Sequence, residues 1–164
     1  VIEFLVFDVD GCLTDGGITY SCDGSESKTF SVKDGLAIAS WMRMGKKSAI
    51  ITGRNSKIVA RRAKELGITH LYQGVKNKQE VLEQILKEEG LSFEQVAAIG
   101  DDLNDYAMLK SVGLSFCPND ASEYIKKIVD VPLRTIGGKG AAREMIEYIL
   151  QKDGNEEELL KLWQ

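Results

Sequence analysis

Five aspartates carry the chemistry available to this sequence. Asp8 and Asp10 flank Val9, and Asp101, Asp102 and Asp105 follow Ile99-Gly100. Both groups come directly after short apolar runs. If those runs are neighbouring strands, the carboxylates meet at one sheet edge. Two unit charges ~4 Å apart repel by roughly 4 kcal/mol at an effective dielectric near 20, so the cluster calls for a cation. Oxygen donors favour a hard ion, and a few carboxylates completed by waters and a phosphate suit Mg²⁺. A calcium loop is excluded, because it needs glycine at its sixth position and Gly11 stands fourth.

Thr52, Gly53 and Lys78 supply the opposite character. A hydroxyl, backbone N–H groups and an ammonium can hold phosphate oxygens. Thr52 could equally cap a helix, and Lys76 could stand in for Lys78 if the register slips. A carboxylate can also act as a nucleophile and form an aspartyl-phosphate. On that reading Asp8 attacks, while Mg²⁺ and Lys78 neutralise the phosphoryl oxygens. Asp10 protonates the leaving alcohol and then activates water.

The elements that must position these groups alternate. Strand-like runs fall at Glu3–Phe7, Lys47–Ile51, His70–Tyr72, Val96–Ile99, Gly113–Phe116 and near Val129–Val131. Helical patterns fall between them, at about 34–45, 56–66, 77–90, 104–111, 120–127 and 140–151. Val81, Leu82, Ile85 and Leu86 show the helical period. Gly45, Gly67 and Gly90 stand where helices should stop. This order implies an α/β fold with a mostly parallel sheet, whose ligands bind beyond the carboxyl ends of the strands. One segment breaks the alternation. Residues 17–32 read as a small β-hairpin after strand 1, from Ile18-Thr19-Tyr20 to Lys28–Val32, turning at Asp23-Gly24.

A length of 164 residues fits a single domain spanning 1–164. Hydrophobic residues at 43% and charged residues at 28% exclude a disordered chain. The net charge of −4 gives no global basic excess, which argues against nucleic acid as a partner. No apolar run reaches the ~20 residues of a membrane span, and no secretory signal is read at the start. Cys12, Cys22 and Cys117 have no CxxC spacing and read as reduced thiols of a cytoplasmic protein. The glycines at 137, 138 and 140 lack a P-loop's Lys-Ser/Thr, so they predict no nucleotide site. His70 reads as a structural or subunit-contact residue rather than a catalytic one. Trp41 and Met42 read as core. The tail, about 153–164, predicts a short helix with an apolar face, and Trp163 is expected to dock rather than stand in solvent.

Asp8-x-Asp10-Gly11-x-x-Thr14, Thr52-Gly53, Lys78 and Gly100-Asp101-Asp102-x-x-Asp105 resemble the four ordered motifs of the haloacid dehalogenase (HAD) phosphohydrolases. The resemblance implies a Rossmann-like HAD core. It makes Asp8 the nucleophile and Asp10 the general acid/base, with Thr52 and Lys78 completing the catalytic set. It places Mg²⁺ on Asp8, the Asp10 backbone carbonyl and Asp101, with Asp102 and Asp105 supporting the metal or its waters. Most such enzymes insert a cap domain between the first and second motifs or between the second and third. Here the first gap is filled by the hairpin, one helix and one strand, and the second by one helix and one strand, so no cap domain is expected.

The capless pattern is similar to the 3-deoxy-D-manno-octulosonate 8-phosphate (KDO-8-phosphate) phosphatase family over nearly all of residues 3–150. The likeness rests on Gly16-Gly17, Asp34-Gly35, Thr52-Gly53-Arg54, Gly74-Val75 and Gly137-Gly138-Lys139-Gly140-Ala141-Ala142-Arg143-Glu144. It implies a homotetramer with packed hairpins, a phosphorylated sugar-acid substrate and a place in lipopolysaccharide synthesis. It also implies substrate contacts from Gly53, Arg54 and Arg62, the last across a subunit boundary; as plain sequence, both arginines could be surface charges. Relatives acting on the nine-carbon analogue (2-keto-3-deoxynononate 9-phosphate) carry Glu at the Arg54 position and Lys at the Glu65 position. Arg54 and Glu65 therefore favour the eight-carbon acid. Similar capless domains fused to acylneuraminate cytidylyltransferases leave a non-catalytic assembly module as the rival reading.

Overall fold

The computed structural model describes residues 1–164. Strands β1 (Phe4–Phe7), β4 (Lys47–Ile51), β5 (His70–Tyr72), β6 (Val96–Ile99), β7 (Leu114–Cys117) and β8 (Val131–Pro132) form one sheet in the order β5-β4-β1-β6-β7-β8. Every pairing in it is parallel. The four inner strands, β4, β1, β6 and β7, are buried on both faces along almost their whole length, which is why they read as continuous apolar runs. Side chains still alternate across the sheet. Leu5, Phe7 and Ile50 join one core with Ile38, Trp41, Val59, Met145 and Ile149. Phe4, Val6 and Ala49 join the other with Leu82, Ile85, Met108 and Ile125.

The first core lies under α1 (Val32–Arg43), α2 (Lys57–Leu66) and α6 (Ala141–Asp153). The second lies under α3 (Lys78–Glu89), α4 (Tyr106–Ser111) and α5 (Glu123–Lys126). The chain builds outward from β1 through β4 to β5, then returns beside β1 with β6. The β1–β6 pair is therefore the topological switch point, where such folds open a crevice. No helix is long and apolar enough to cross a membrane.

The hairpin differs from the sequence expectation. Its strands are β2 (Thr19–Tyr20) and β3 (Glu26–Ser27), so Lys28–Val32 is not a strand. The β-prone run Thr29–Val32 is overridden by Ser31. Its hydroxyl accepts from the Lys33 and Asp34 N–H groups and starts α1 at Val32, two residues earlier than expected. The turn is as expected: Ser25 N–H and Oγ–H both donate to Asp23 Oδ1.

At the far end, α7 (Glu156–Lys161) forms. Trp163 docks through one edge, with Nε1–H donating to Ser40 Oγ at 3.2 Å and the Arg43 guanidinium over its ring. The remainder of its surface stays open. His70 bonds Glu89 Oε1 at 2.8 Å, on α3 and away from the aspartates.

Candidate active site

Asp8 follows β1 and is buried. Its N–H donates to the Ile99 carbonyl, which ties the ends of β1 and β6 together. The chain then turns sharply at Gly11, φ +91°. A side chain is excluded there twice over. The left-handed backbone disfavours it, and a Cβ would fall 1.9 Å from Asp101 Oδ2. The glycine thus lets the two acidic loops approach. Thr14 closes the turn, its hydroxyl accepting from the Gly11 and Gly16 N–H groups.

Lys78 opens α3, whose N-cap is Asn77. Its ammonium is buried and donates to Asp8 Oδ1 at 2.9 Å and to Asp105 Oδ1 at 2.6 Å. Lys76 is exposed, which settles the register in favour of Lys78. Asp105 is fully buried. Its second oxygen, Oδ2, accepts from the Asp101 and Asp102 N–H groups at 2.9 and 3.3 Å. One carboxylate therefore holds both the lysine and the loop that carries Asp101. Asp102 is exposed and caps the turn through Leu103 N–H.

These groups surround an open cavity of about 270 Å³. Asp8, Asp10, Thr52, Gly53, Arg54, Asp101 and Asp102 line it, together with Gly16 and Asn104, and no apolar residue does. Thr52 sits at the end of β4, held by its N–H to the Tyr72 carbonyl and its carbonyl to Val75 N–H. Asp10 is partly exposed, and its Oδ1 accepts from the Lys28 ammonium at 2.6 Å. Arg54 reaches the hairpin, donating from Nη2 to Tyr20 Oη at 3.2 Å and to Glu26 Oε2 at 3.1 Å.

Arg62 does not reach this cavity. It lies on the first-core side, its guanidinium over the Phe30 ring and donating to the Ser31 carbonyl. The second turn of α2 carries it away from the strand ends.

The roles of two further groups could not be read from the sequence. Lys28, whose side chain is fully buried, looks like a surface residue of a hairpin until the hairpin folds back over the cleft. Gly137 and Gly138 brace the loop that follows Asp8. Gly138 N–H donates to the Cys12 carbonyl, and a Cβ on Gly137 would fall 1.9 Å from the Gly11 carbonyl oxygen. The unusual run of glycines was the available signal.

The charges reflect this crowding. Burial, then the Asp105 charge, pushes Asp8 up to about 6, against the pull of Lys78. Burial, then the Asp8 charge, pushes Asp101 up to about 8. Burial by itself would lower Lys78, but Asp8 and Asp105 outweigh it and hold the ammonium firmly protonated. Carboxylate oxygens of Asp8 and Asp101 and the Cys12 sulfur all lie within 4.8 Å of one another. Two close, desolvated carboxyls that resist ionising together are what a divalent cation would relieve, so the donor set fits Mg²⁺.

Comparison with known proteins agrees in fold. Residues 70–145 match the model for haloacid dehalogenase-like hydrolases. The chain is similar to the 3-deoxy-D-manno-octulosonate 8-phosphate phosphatase of Haemophilus influenzae, 42% identical over 93% of this chain and 85% of that protein. The Escherichia coli K12 enzyme of the same name is 41% identical, over 96% and 84% respectively. The crystal structure of the Moraxella catarrhalis phosphatase, in complex with magnesium, phosphate and KDO, superposes with a TM-score of 0.95 at 39% identity. That match covers 99% of this chain and 94% of the other.

Proposed function

The chain belongs to the 3-deoxy-D-manno-octulosonate 8-phosphate phosphatase family of haloacid dehalogenase-like hydrolases, and from that membership we propose that it hydrolyses KDO-8-phosphate to KDO and phosphate with Mg²⁺. The observation that carries the reading is the buried Asp8 carboxylate at the cavity floor, with the Lys78 ammonium 2.9 Å away and Asp101 alongside.

In the first step an Asp8 oxygen attacks phosphorus and the ester P–O bond breaks. The Asp10 carboxyl gives its proton to the departing sugar alkoxide. In the second step the Asp10 carboxylate takes a proton from water as that water attacks the aspartyl-phosphate. Phosphate leaves and Asp8 is restored. Lys78 lies against Asp8 and offsets charge gathering on the phosphoryl oxygens. The Thr52 hydroxyl and the Gly53 N–H, both at the cavity wall, orient those oxygens. Lys28 fixes the Asp10 side chain. Asp8, Asp101 and the Asp10 carbonyl would hold Mg²⁺, which when bound neutralises phosphoryl charge and the Asp8–Asp101 repulsion. Asp102, at the rim, and Asp105, through the Asp101 loop, support it.

Arg54 carries a cation to the cavity rim, where a sugar-acid carboxylate would sit. Arg62 serves the neighbouring subunit's cleft in a homotetramer, since it is remote from its own. The open cavity and the exposed outer strand of the hairpin support assembly, because a neighbour would supply the missing wall and exclude water. Three unpaired cysteines fit a reducing cytoplasm.

Phosphate release with Mg²⁺ from KDO-8-phosphate, the nine-carbon analogue and common sugar phosphates tests the reading. Strong preference for KDO-8-phosphate is expected. Preference for the nine-carbon acid would move the substrate, and inactivity on the whole panel would favour a non-catalytic assembly module.

A further inference from the structure

Cys12 stands inside the acidic centre with no part in the reaction derived above. Its side chain is fully buried. Its thiol joins none of the hydrogen bonds that tie the surrounding loop, which run through Thr14 instead. The sulfur lies within 4.8 Å of carboxylate oxygens of both Asp8 and Asp101, and those oxygens are equally close to each other. Zinc binds sulfur at ~2.3 Å and carboxylate oxygen at ~2.0–2.2 Å, so tetrahedral donors on one such ion are about 3.6 Å apart. The three side chains therefore need to close by at most about 1.2 Å to share an ion.

Mg²⁺ has little use for sulfur, but Zn²⁺ and Cd²⁺ do. We propose that Cys12, Asp8 and Asp101 form a mixed sulfur–oxygen site for a thiophilic divalent cation, which competes with Mg²⁺ for the same two carboxylates. On binding, the S–H bond breaks, the metal–sulfur bond forms and the proton leaves to solvent. No electron is transferred. The negative charge of the two neighbouring aspartates attracts the ion. An ion seated this way engages the Asp8 carboxylate and blocks its attack on phosphorus, so the centre distinguishes soft from hard cations by being poisoned by the soft ones.

The inference rests on the reading of Asp8 and Asp101 as a cation centre, though not on the identity of the sugar phosphate. Its test is spectroscopic. The full-length protein carrying Cys22→Ser, which removes the exposed thiol, is titrated with Cd²⁺ while the ultraviolet thiolate-to-cadmium absorption is followed. One equivalent of signal is expected. It should disappear when Cys12→Ser or Cys12→Val is added, with Cd²⁺ affinity falling at least tenfold by calorimetry, and excess Mg²⁺ should suppress it. Two replacements, of different polarity, guard against misfolding in one. A signal that survives both replacements, or that Mg²⁺ does not suppress, overturns the shared site. Mg²⁺ binding without any cadmium–thiolate signal overturns the role of Cys12 and leaves the cation centre standing. Failure to bind either metal overturns both.

Discussion

Lys78 Nζ stands closer to Asp105 (2.6 Å) than to Asp8 (2.9 Å). The lysine is thus anchored by Asp105 and shared with Asp8, the proposed nucleophile. Asp105 also holds the Asp101 and Asp102 amides. Asp105→Asn should therefore cost more than one contact. Breaking a buried ion pair costs about 3–5 kcal/mol, and Asp8 remains to Lys78, so the lower end is expected in urea unfolding. The Mg²⁺ requirement should rise as the Asp101 loop loosens. Unchanged stability and unchanged Mg²⁺ dependence would sink this account of the anchor.

Asp8→Asn should behave differently. The amide keeps the shape of the carboxylate but is a poor nucleophile. Turnover should fall by about 10³-fold or more while far-ultraviolet circular dichroism stays native. Binding of inorganic phosphate in Mg²⁺ should weaken much less than turnover. Full activity in this variant would remove Asp8 from the nucleophile role.

The raised acidities make metal binding depend on pH. In the metal-free protein Asp101 holds a proton below about 8 and Asp8 below about 6. Both lie above the unfolded carboxylate value, so the folded state binds more protons than the unfolded one between roughly pH 4 and 8. Metal-free stability from these groups is therefore full at the acid end of that window and declines as pH rises through it. Mg²⁺ binds the ionised forms and reverses the trend. Calorimetric Mg²⁺ affinity should fall about tenfold per pH unit below about 8, and more steeply below about 6. The rise in Tm on adding Mg²⁺ should be larger at pH 8 than at pH 6. A pH-independent affinity would contradict the crowded-carboxyl picture.

Much of this was legible in the residues. The four inner strands announced themselves as apolar runs, because a parallel sheet buried on both faces leaves no alternation to obscure them. Asp8, Asp10, Thr52 and Asp101 could be brought together because strand ends converge at the switch point. What could not be read were contacts without a local pattern. The Lys28–Asp10 pair needs the hairpin's path, and Ser31's cap had to defeat a β-prone run. Arg62, whose substrate contact across a subunit boundary was read from the resemblance alone, could not be placed by local pattern: about 7.5 Å of helix rise from Lys57 takes it to a face away from its own cavity.

That displacement makes a mixing experiment decisive for assembly. If Arg62 completes a neighbour's cleft, Arg62→Ala should be impaired, with its own Asp8 intact. Mixed with Asp8→Asn subunits after dissociation and reassembly, it should regain activity, since some clefts pair an intact Asp8 with a neighbour's intact Arg62. Sedimentation should show a tetramer. An active monomer, or no recovery on mixing, would place the substrate contacts within one chain.

The brace behind the nucleophile gives the last test. Gly137 has no room for a methyl group: a Cβ would meet the Gly11 carbonyl oxygen at 1.9 Å and the Thr14 carbonyl oxygen at 2.9 Å. Both contacts are backbone, so no flexible side chain can yield. Gly137→Ala must therefore push the Gly11 turn, and with it the approach of Asp8 to Asp101. Overpacking of this kind costs about 1–3 kcal/mol. Because the strain falls on the loop that aims the nucleophile, turnover should drop further than stability alone explains. At a temperature where the variant is still fully folded, kcat should be reduced at least tenfold. A variant that loses stability but keeps its kcat would make Gly137 a packing residue with no hold on the geometry of Asp8.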